Sequence, residues 1–130
     1  MNFFEGELTV EENNTFFAAN GEKLYLKKVF APAYSGKCTL GVRPEAIKIL
    51  TTEERKSERE RDFNVPILLK EGHGHETHII CQLFRKKAIV RTANPNRRSH
   101  ISESPLGSTL PVTIDRLALH WFDQNGCRIE

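Results

Sequence analysis

The sequence predicts an all-β fold, and three observations carry that expectation. Short apolar runs alternate with polar residues at period 2, the mark of a strand with one buried face. Turn residues interrupt these runs at roughly 8–12-residue spacing, as in sandwiches and barrels, and no stretch of about ten residues shows a convincing helical period. The third observation is an internal echo. Leu40, Val42, Glu45, Ile47 and Ile49 recur seventy positions later as Leu110, Val112, Asp115, Leu117 and Leu119. Each copy is an aliphatic alternation, an acidic residue beside a break, then a second alternation, so one supersecondary unit is expected to occur twice. A chain of 130 residues is then one ordinary domain or two small barrels. In the second case the halves share an interface, because a unit of ~60 residues buries only about 60% of its unfolded surface.

The elements follow in order. Phe4, Gly6, Leu8 and Val10 alternate with Glu5, Glu7, Thr9 and Glu11 in a half-buried first strand, and a polar turn at Glu12-Asn13-Asn14 ends it. Thr15 to Leu26 reads as a hairpin around Asn20-Gly21, a dipeptide that tolerates the positive φ of a type I′ turn. Counting outward pairs Ala19 with Glu22, Phe17 with Leu24 and Phe16 with Tyr25. Pro32 and Ser35-Gly36 make Val29 to Lys37 a loop. The Leu40 strand follows, and Arg43-Pro44 breaks it, since proline lacks a donor and restricts the residue before it. Thr51 to Asp62 has no aliphatic residue and reads as a solvated connector or exposed hairpin tip. The expected division is therefore a first half over 1–50, a charged link over 51–62 and a second half over 63–130. The second half restarts with Phe63, Val65, Ile67 and Leu69, turns at Gly72-His73-Gly74 and continues from His78 to Phe84. Arg85-Lys86-Lys87 is the next turn and Ala88 to Thr92 the next strand. Asn94 to Ser108 reads as loop. Leu110 to Phe122 reads as one long strand bent near Asp115, and a turn at Asp123 to Gly126 leads into a short terminal strand.

Composition excludes several classes. The net charge of +2 and a pI near 8.5 are too mild to announce a nucleic-acid binder. No apolar run approaches the ~20 residues that span a bilayer, and the first residues lack the basic start and apolar core of a signal peptide. Cys38, Cys81 and Cys127 are odd in number and widely spaced, which suits reduced, buried thiols in a cytosolic compartment.

Few residue sets suggest chemistry. Ala31 to Cys38 falls near the phosphate-loop frame, but alanine replaces its first glycine, cysteine its final hydroxyl, and no helix follows to offer amide donors. His73, His75, His78 and Cys81 have types that bind zinc, yet on a strand His75 and Cys81 share one face while His78 points to the other. No metal site is expected. No nucleophile–base set stands out either, so no catalytic residues are assigned. Arg43 and Glu45 flanking Pro44 suggest a corner ion pair. Arg85, Lys86, Lys87, Arg91, Arg97 and Arg98, with Phe84 and Trp121 for stacking, are the mix that single-strand binders use. Glu5, Glu7, Glu11, Glu12 and Glu22 counterbalance it, and nucleic acid is not an expected partner.

Four segments carry a family resemblance. Met1 to Gly6 looks like the start of an accessory domain, and Leu40-Gly41-Val42-Arg43-Pro44-Glu45-Ala46-Ile47 looks like a G-[VI]-R-P-E-x-[IL] signature. Glu71 to Thr77 is similar to an E-x-L-G-x-E-T turn, and Leu119 to Asp123 with Asn125-Gly126 to a closing LHxFD…G strand and hairpin. In these the chain resembles the C-terminal domain of ATP-binding subunits of bacterial ABC importers of the maltose/sugar-transporter type. His73, where the family has an aliphatic residue, and the charged link depart from its pattern. The resemblance implies tandem OB-like (TOBE-type) small barrels packed together, in a fragment whose Met1 is internal or an artificial start. It implies no cofactor here, with ATP and magnesium belonging to the full-length subunit. The implied role is regulatory and non-catalytic, at the cytoplasmic face of the cell membrane. Implied partners are a second copy of the subunit, the transporter's membrane subunits through the ATPase domain, and a regulatory protein. Arg43, Pro44, Glu45, His75, Glu76, Thr77 and Trp121 are the interface candidates. The alternative is a free-standing OB-type module for a small oxyanion or single-stranded nucleic acid.

Overall fold

A computed structural model describes residues 1–12, 14–51 and 62–129. Among these, eleven strands form two sheets, and every pairing is antiparallel. They are β1 (Asn2–Glu11), β2 (Asn14–Ala19), β3 (Glu22–Leu26), β4 (Gly36–Val42), β5 (Ile47–Ile49), β6 (Phe63–His73), β7 (Glu76–Leu83), β8 (Lys86–Thr92), β9 (Thr109–Ile114), β10 (Leu119–Asp123) and β11 (Arg128–Ile129). One α-helix, α1 (Pro95–Glu103), lies between β8 and β9, and short 3-10 turns occupy Lys28–Phe30, Pro44–Ala46 and Arg116–Ala118. The architecture is the expected all-β one, with curled sheets of the OB-like, TOBE type.

The chain forms two compact units, one of Met1–Arg43 with Arg116–Glu130 and one of Pro44–Asp115. This differs from a division into 1–50 and 63–130, and strand pairing is the reason. In the first unit the sheet order is β11-β10-β4-β1-β2-β3, so the last strands of the chain lie beside β4. In the second it is β5-β9-β6-β7-β8, so β5 from the early part of the chain pairs with β9. Each sequence half thus adds to the other's sheet, β5 from the first half and β10 and β11 from the second. Residues 52–61, the core of the charged link, lie outside the described residues.

The internal echo is real but shifted. Val42 pairs with Leu119 and Leu40 with Trp121, while Ile114 pairs with Ile47 and Val112 with Ile49. A shift of 72 positions carries Val42 to Ile114 and Leu40 to Val112, and Ile47 to Leu119 and Ile49 to Trp121, so it maps one set of pairs onto the other. The shift seen in sequence was two less; being also even, it keeps the buried face buried. It misassigns Leu117, which is 82% exposed in the Arg116–Ala118 turn. That turn also ends the supposed long strand, because β9 and β10 belong to different sheets.

Within the first unit the sheet curls. Phe17 on β2 meets Trp121 on β10 at 5.5 Å between ring centroids, although β1 and β4 lie between those strands. A flat sheet would hold strands three places apart at roughly 14 Å. Gly6 on β1 permits the curl, since a Cβ there would collide with the Ala18 carbonyl and the Phe17 ring. In the second unit β5 and β8, the two sheet edges, lie against one another, and Val65, Ile67, Ile79, Leu83, Val90 and Val112 fill the interior.

Hairpin turns follow their residues to different degrees. Ala19 pairs with Glu22, Phe17 with Leu24 and Phe16 with Tyr25, as the Asn20-Gly21 turn requires, with φ of 51° and 85°. The β6–β7 turn is Gly74-His75 rather than Gly72 to Gly74. Gly74 at φ 62° takes the first position of a type II′ turn. The β7–β8 turn is Phe84-Arg85, both left-handed at 52° and 57°, and Lys86 and Lys87 already belong to β8. Phe84 tolerates this because its ring is fully buried against Phe63 at 4.9 Å.

Helix α1 replaces the loop expected over Asn94 to Ser108. Asn94 caps it, its Oδ1 accepting from the amides of Asn96 and Arg97, and Pro95 occupies the first turn, where no donor is missed. Only Ile101 is buried, so the apolar periodicity that announces a helix is missing.

Candidate functional site

The structure gathers part of the interface set on the second unit. Arg91 of β8 donates through Nη2 to the Glu45 carboxylate at 2.8 Å, and its Nε lies 4.0 Å from Glu76 Oε2. Glu45 therefore pairs with Arg91, not with Arg43 across the proline. Next along, His78 Nε2 sits 3.1 Å from Glu76 Oε2, the His73 ring stacks on His78 at 4.2 Å, and His73 Nε2 is 3.0 Å from Glu71. The His78 hydrogen bond, with Arg91, His78 and His75 nearby, holds the Glu76 carboxyl below its ordinary range. All of these side chains reach solvent, which screens the pairs and keeps them weak. Among the described residues no group of His, Cys, Asp and Glu is placed to hold a metal ion.

Other candidates fall elsewhere. Arg43 and His75 are exposed and Pro44 is half-buried. Trp121 is 5% exposed, with its ring against Phe17, so it is a core residue of the first unit. Phe84 is fully buried as well, which leaves the basic set without either stacking partner. Cys38 and Cys81 are buried, and desolvation pushes their thiols up to about 11 and about 12. Cys127, expected to be buried, is exposed.

A cleft in the second unit is the better-built site. It has a volume of about 550 Å³ and runs between α1 and the β6–β7 hairpin, lined by Lys70, Glu71, Gly72, Thr77, Pro95, Arg98, Ser99, Ile101 and Ser102. Strand alternation puts Lys70 and Gly72 on the face of β6 opposite Glu71. Buried Ile101 anchors the helix, and helical spacing sets Arg98, Ser99 and Ser102 together on its neighbouring surface. Arg98 donates from Nε to Thr77 Oγ1 at 3.0 Å and from Nη2 to the Gly74 carbonyl at 2.8 Å. Lys70 Nζ donates to the Ser104 carbonyl at 2.7 Å and the Ile101 carbonyl at 3.4 Å. Among the described residues neither cation is paired with a carboxylate: their partners are neutral oxygens, and one oxygen of the Glu71 carboxylate on the rim hydrogen-bonds His73.

Thr77 is the one interface candidate that lines this cleft. Arg98 belongs to the basic set of the second half, whereas no pattern in the sequence marks Lys70. The only sequence signal for the site was Asn94-Pro95, which could have announced the helix that forms one wall.

Fold and strand order define the chain as a tandem module of small OB-like, TOBE-type barrels. Among solved structures, the cytoplasmic molybdate-binding protein ModG, with molybdate bound, superposes with a TM-score of 0.59 at 12% identity, covering 92% of this chain and 94% of that one. At that identity the likeness establishes the fold alone. No protein-family model matches the sequence, and no curated protein matches it significantly.

Proposed function

We propose that this chain is a non-catalytic binding module that takes a small oxyanion in the cleft between α1 and the β6–β7 hairpin. The observation that carries this reading is the pair Lys70 and Arg98, two cations at one cleft whose hydrogen bonds go to neutral oxygens. Such partners hold the side chains in place without cancelling their charge, which leaves a positive potential to be met from solution. The fold shared with a molybdate-binding protein supports the class of ligand. Arg98 would supply the charged N–H donors, Lys70 a second point charge, and Thr77 would keep the guanidinium oriented. Calorimetric titration with molybdate, sulfate and phosphate at low ionic strength tests it. Binding is expected to weaken with added salt and to fall at least tenfold in Arg98→Ala. Heat of dilution alone for all three anions would exclude the reading.

A second reading follows the resemblance to importer ATP-binding subunits. Its support is Arg91, which links Glu45 of one resembling segment to Glu76 of another and so gives both a common place. In that reading the chain is an accessory domain at the cytoplasmic face of the membrane that pairs with a second copy of its subunit and receives regulatory contacts. ATP and magnesium would belong to the larger subunit. Sedimentation across a concentration series discriminates: self-association weakened by Glu45→Lys supports it, and a monomer at every concentration counts against it.

A further inference from the structure

The cleft is large for a bare oxyanion. Four oxygens around one centre fill on the order of 100 Å³, if each counts as a water's share of about 30 Å³. The cleft offers about 550 Å³, within the roughly 300–1,000 Å³ of small organic-ligand sites.

We infer that the anion taken here is a small phosphomonoester bearing hydroxyl groups, an inference that rests on the oxyanion reading above. Guanidinium carries five N–H donors and ammonium three. Thr77 and Gly74 occupy two of those on Arg98, and the Ser104 and Ile101 carbonyls two of those on Lys70. Three donors remain on Arg98, one for each terminal oxygen of a phosphate ester, which carries about −1.5 to −2 charge at neutral pH, and one remains on Lys70. The two cations are fastened apart, Arg98 at the hairpin turn and Lys70 at the carbonyls that end α1. The helix's negative end offsets part of the Lys70 charge, so the phosphate sits toward Arg98. The rest of the ligand then lies along the exposed helix surface that presents Ser99 and Ser102. Hydroxyls both donate and accept, and two of them three residues apart on a helix match the alternating donors and acceptors of a polyol better than a hydrocarbon tail.

Titration of the full chain with inorganic phosphate, molybdate, glycerol 1-phosphate and glycerol, at low ionic strength, tests the inference. Glycerol 1-phosphate is expected to bind at least tenfold more tightly than inorganic phosphate, and glycerol not at all. The exposed double variant Ser99→Ala/Ser102→Ala is expected to bring the ester down to the affinity of the inorganic ion. Equal affinity for ester and inorganic ion in the unmodified chain would overturn the inference and leave a bare oxyanion site. An ester preference that persists in the double variant would show that the serine row does not read the ligand, which also overturns it. Failure of every anion to bind would remove the oxyanion reading itself.

Discussion

The two units share one strand order and differ in what joins two of the strands. β10-β4-β1-β2-β3 in the first unit corresponds to β5-β9-β6-β7-β8 in the second. Between β3 and β4 the chain passes through a short 3-10 turn at Lys28–Phe30; between β8 and β9 it builds the nine-residue helix α1. The cleft with Lys70 and Arg98 exists only where that helix stands over its hairpin. One strand order thus recurs in both units, and an elaborated connection builds the cleft proposed here as the anion site, in line with the way different functions come to sit on one fold.

The largest effect should come from the strand exchange. Removing residues 116–130 takes β10 and β11 from the first sheet, leaves β4 as an unpaired edge and deletes the ring that packs on Phe17. The first unit is expected to lose its fold, while the second, whose strands all lie within Pro44–Asp115, keeps dispersed amide resonances. Collapse of both sets of resonances would show that the second unit does not fold without the first.

Next is the register of the duplication. Ile47 is fully buried on β5, so Ile47→Ala is expected to cost about 2–5 kcal/mol. Leu117, its counterpart at the seventy-residue offset, is solvent-exposed, and Leu117→Ala should fall within about 0.5 kcal/mol of the unmodified chain. Urea denaturation of both variants decides between the two offsets.

The hairpins sharpen the contrast further. Arg85 is exposed with φ 57°, and Arg85→Gly is expected to stabilise by about 0.5–1 kcal/mol by removing left-handed strain. Gly21, at φ 85° in the equivalent turn of the first unit, should lose about 1 kcal/mol or more on change to Ala. Thermal melts would show shifts of opposite sign.

The smallest effect concerns pH. The Glu76 carboxyl is lowered in the folded chain, chiefly by its hydrogen bond to His78. Its stabilising contribution is present above the unfolded carboxylate's range and disappears as pH falls through the lowered folded value. Glu76→Gln should therefore flatten the acid limb of stability, read as urea midpoints from neutral pH downward.

These contrasts also explain what could be read from sequence. Asn20-Gly21 states its turn in residue types that few other conformations favour, so the β2–β3 register follows by counting. Phe84-Arg85 takes the same type of turn because the Phe84 ring is held in the core, a tertiary cause that no dipeptide rule contains. The strand exchange was hidden because alternation shows which face is buried and not which neighbour pairs. Leu117 extended the alternation by coincidence, so a break between two sheets resembled a bend in one strand. Helix α1 carries its start signal in Asn94-Pro95 but buries only Ile101, so periodicity was silent. With the helix unread, nothing could bring Lys70 and Arg98, 28 positions apart in the chain, to one cleft.

Anion binding between α1 and the β6–β7 hairpin can be read residue by residue by following amide resonances during titration with inorganic phosphate. The expected result is saturable shifts concentrated at residues 70–77 and 95–102, and their loss in Arg98→Ala. Shifts confined to the first unit, or none at high anion concentration, would contradict it.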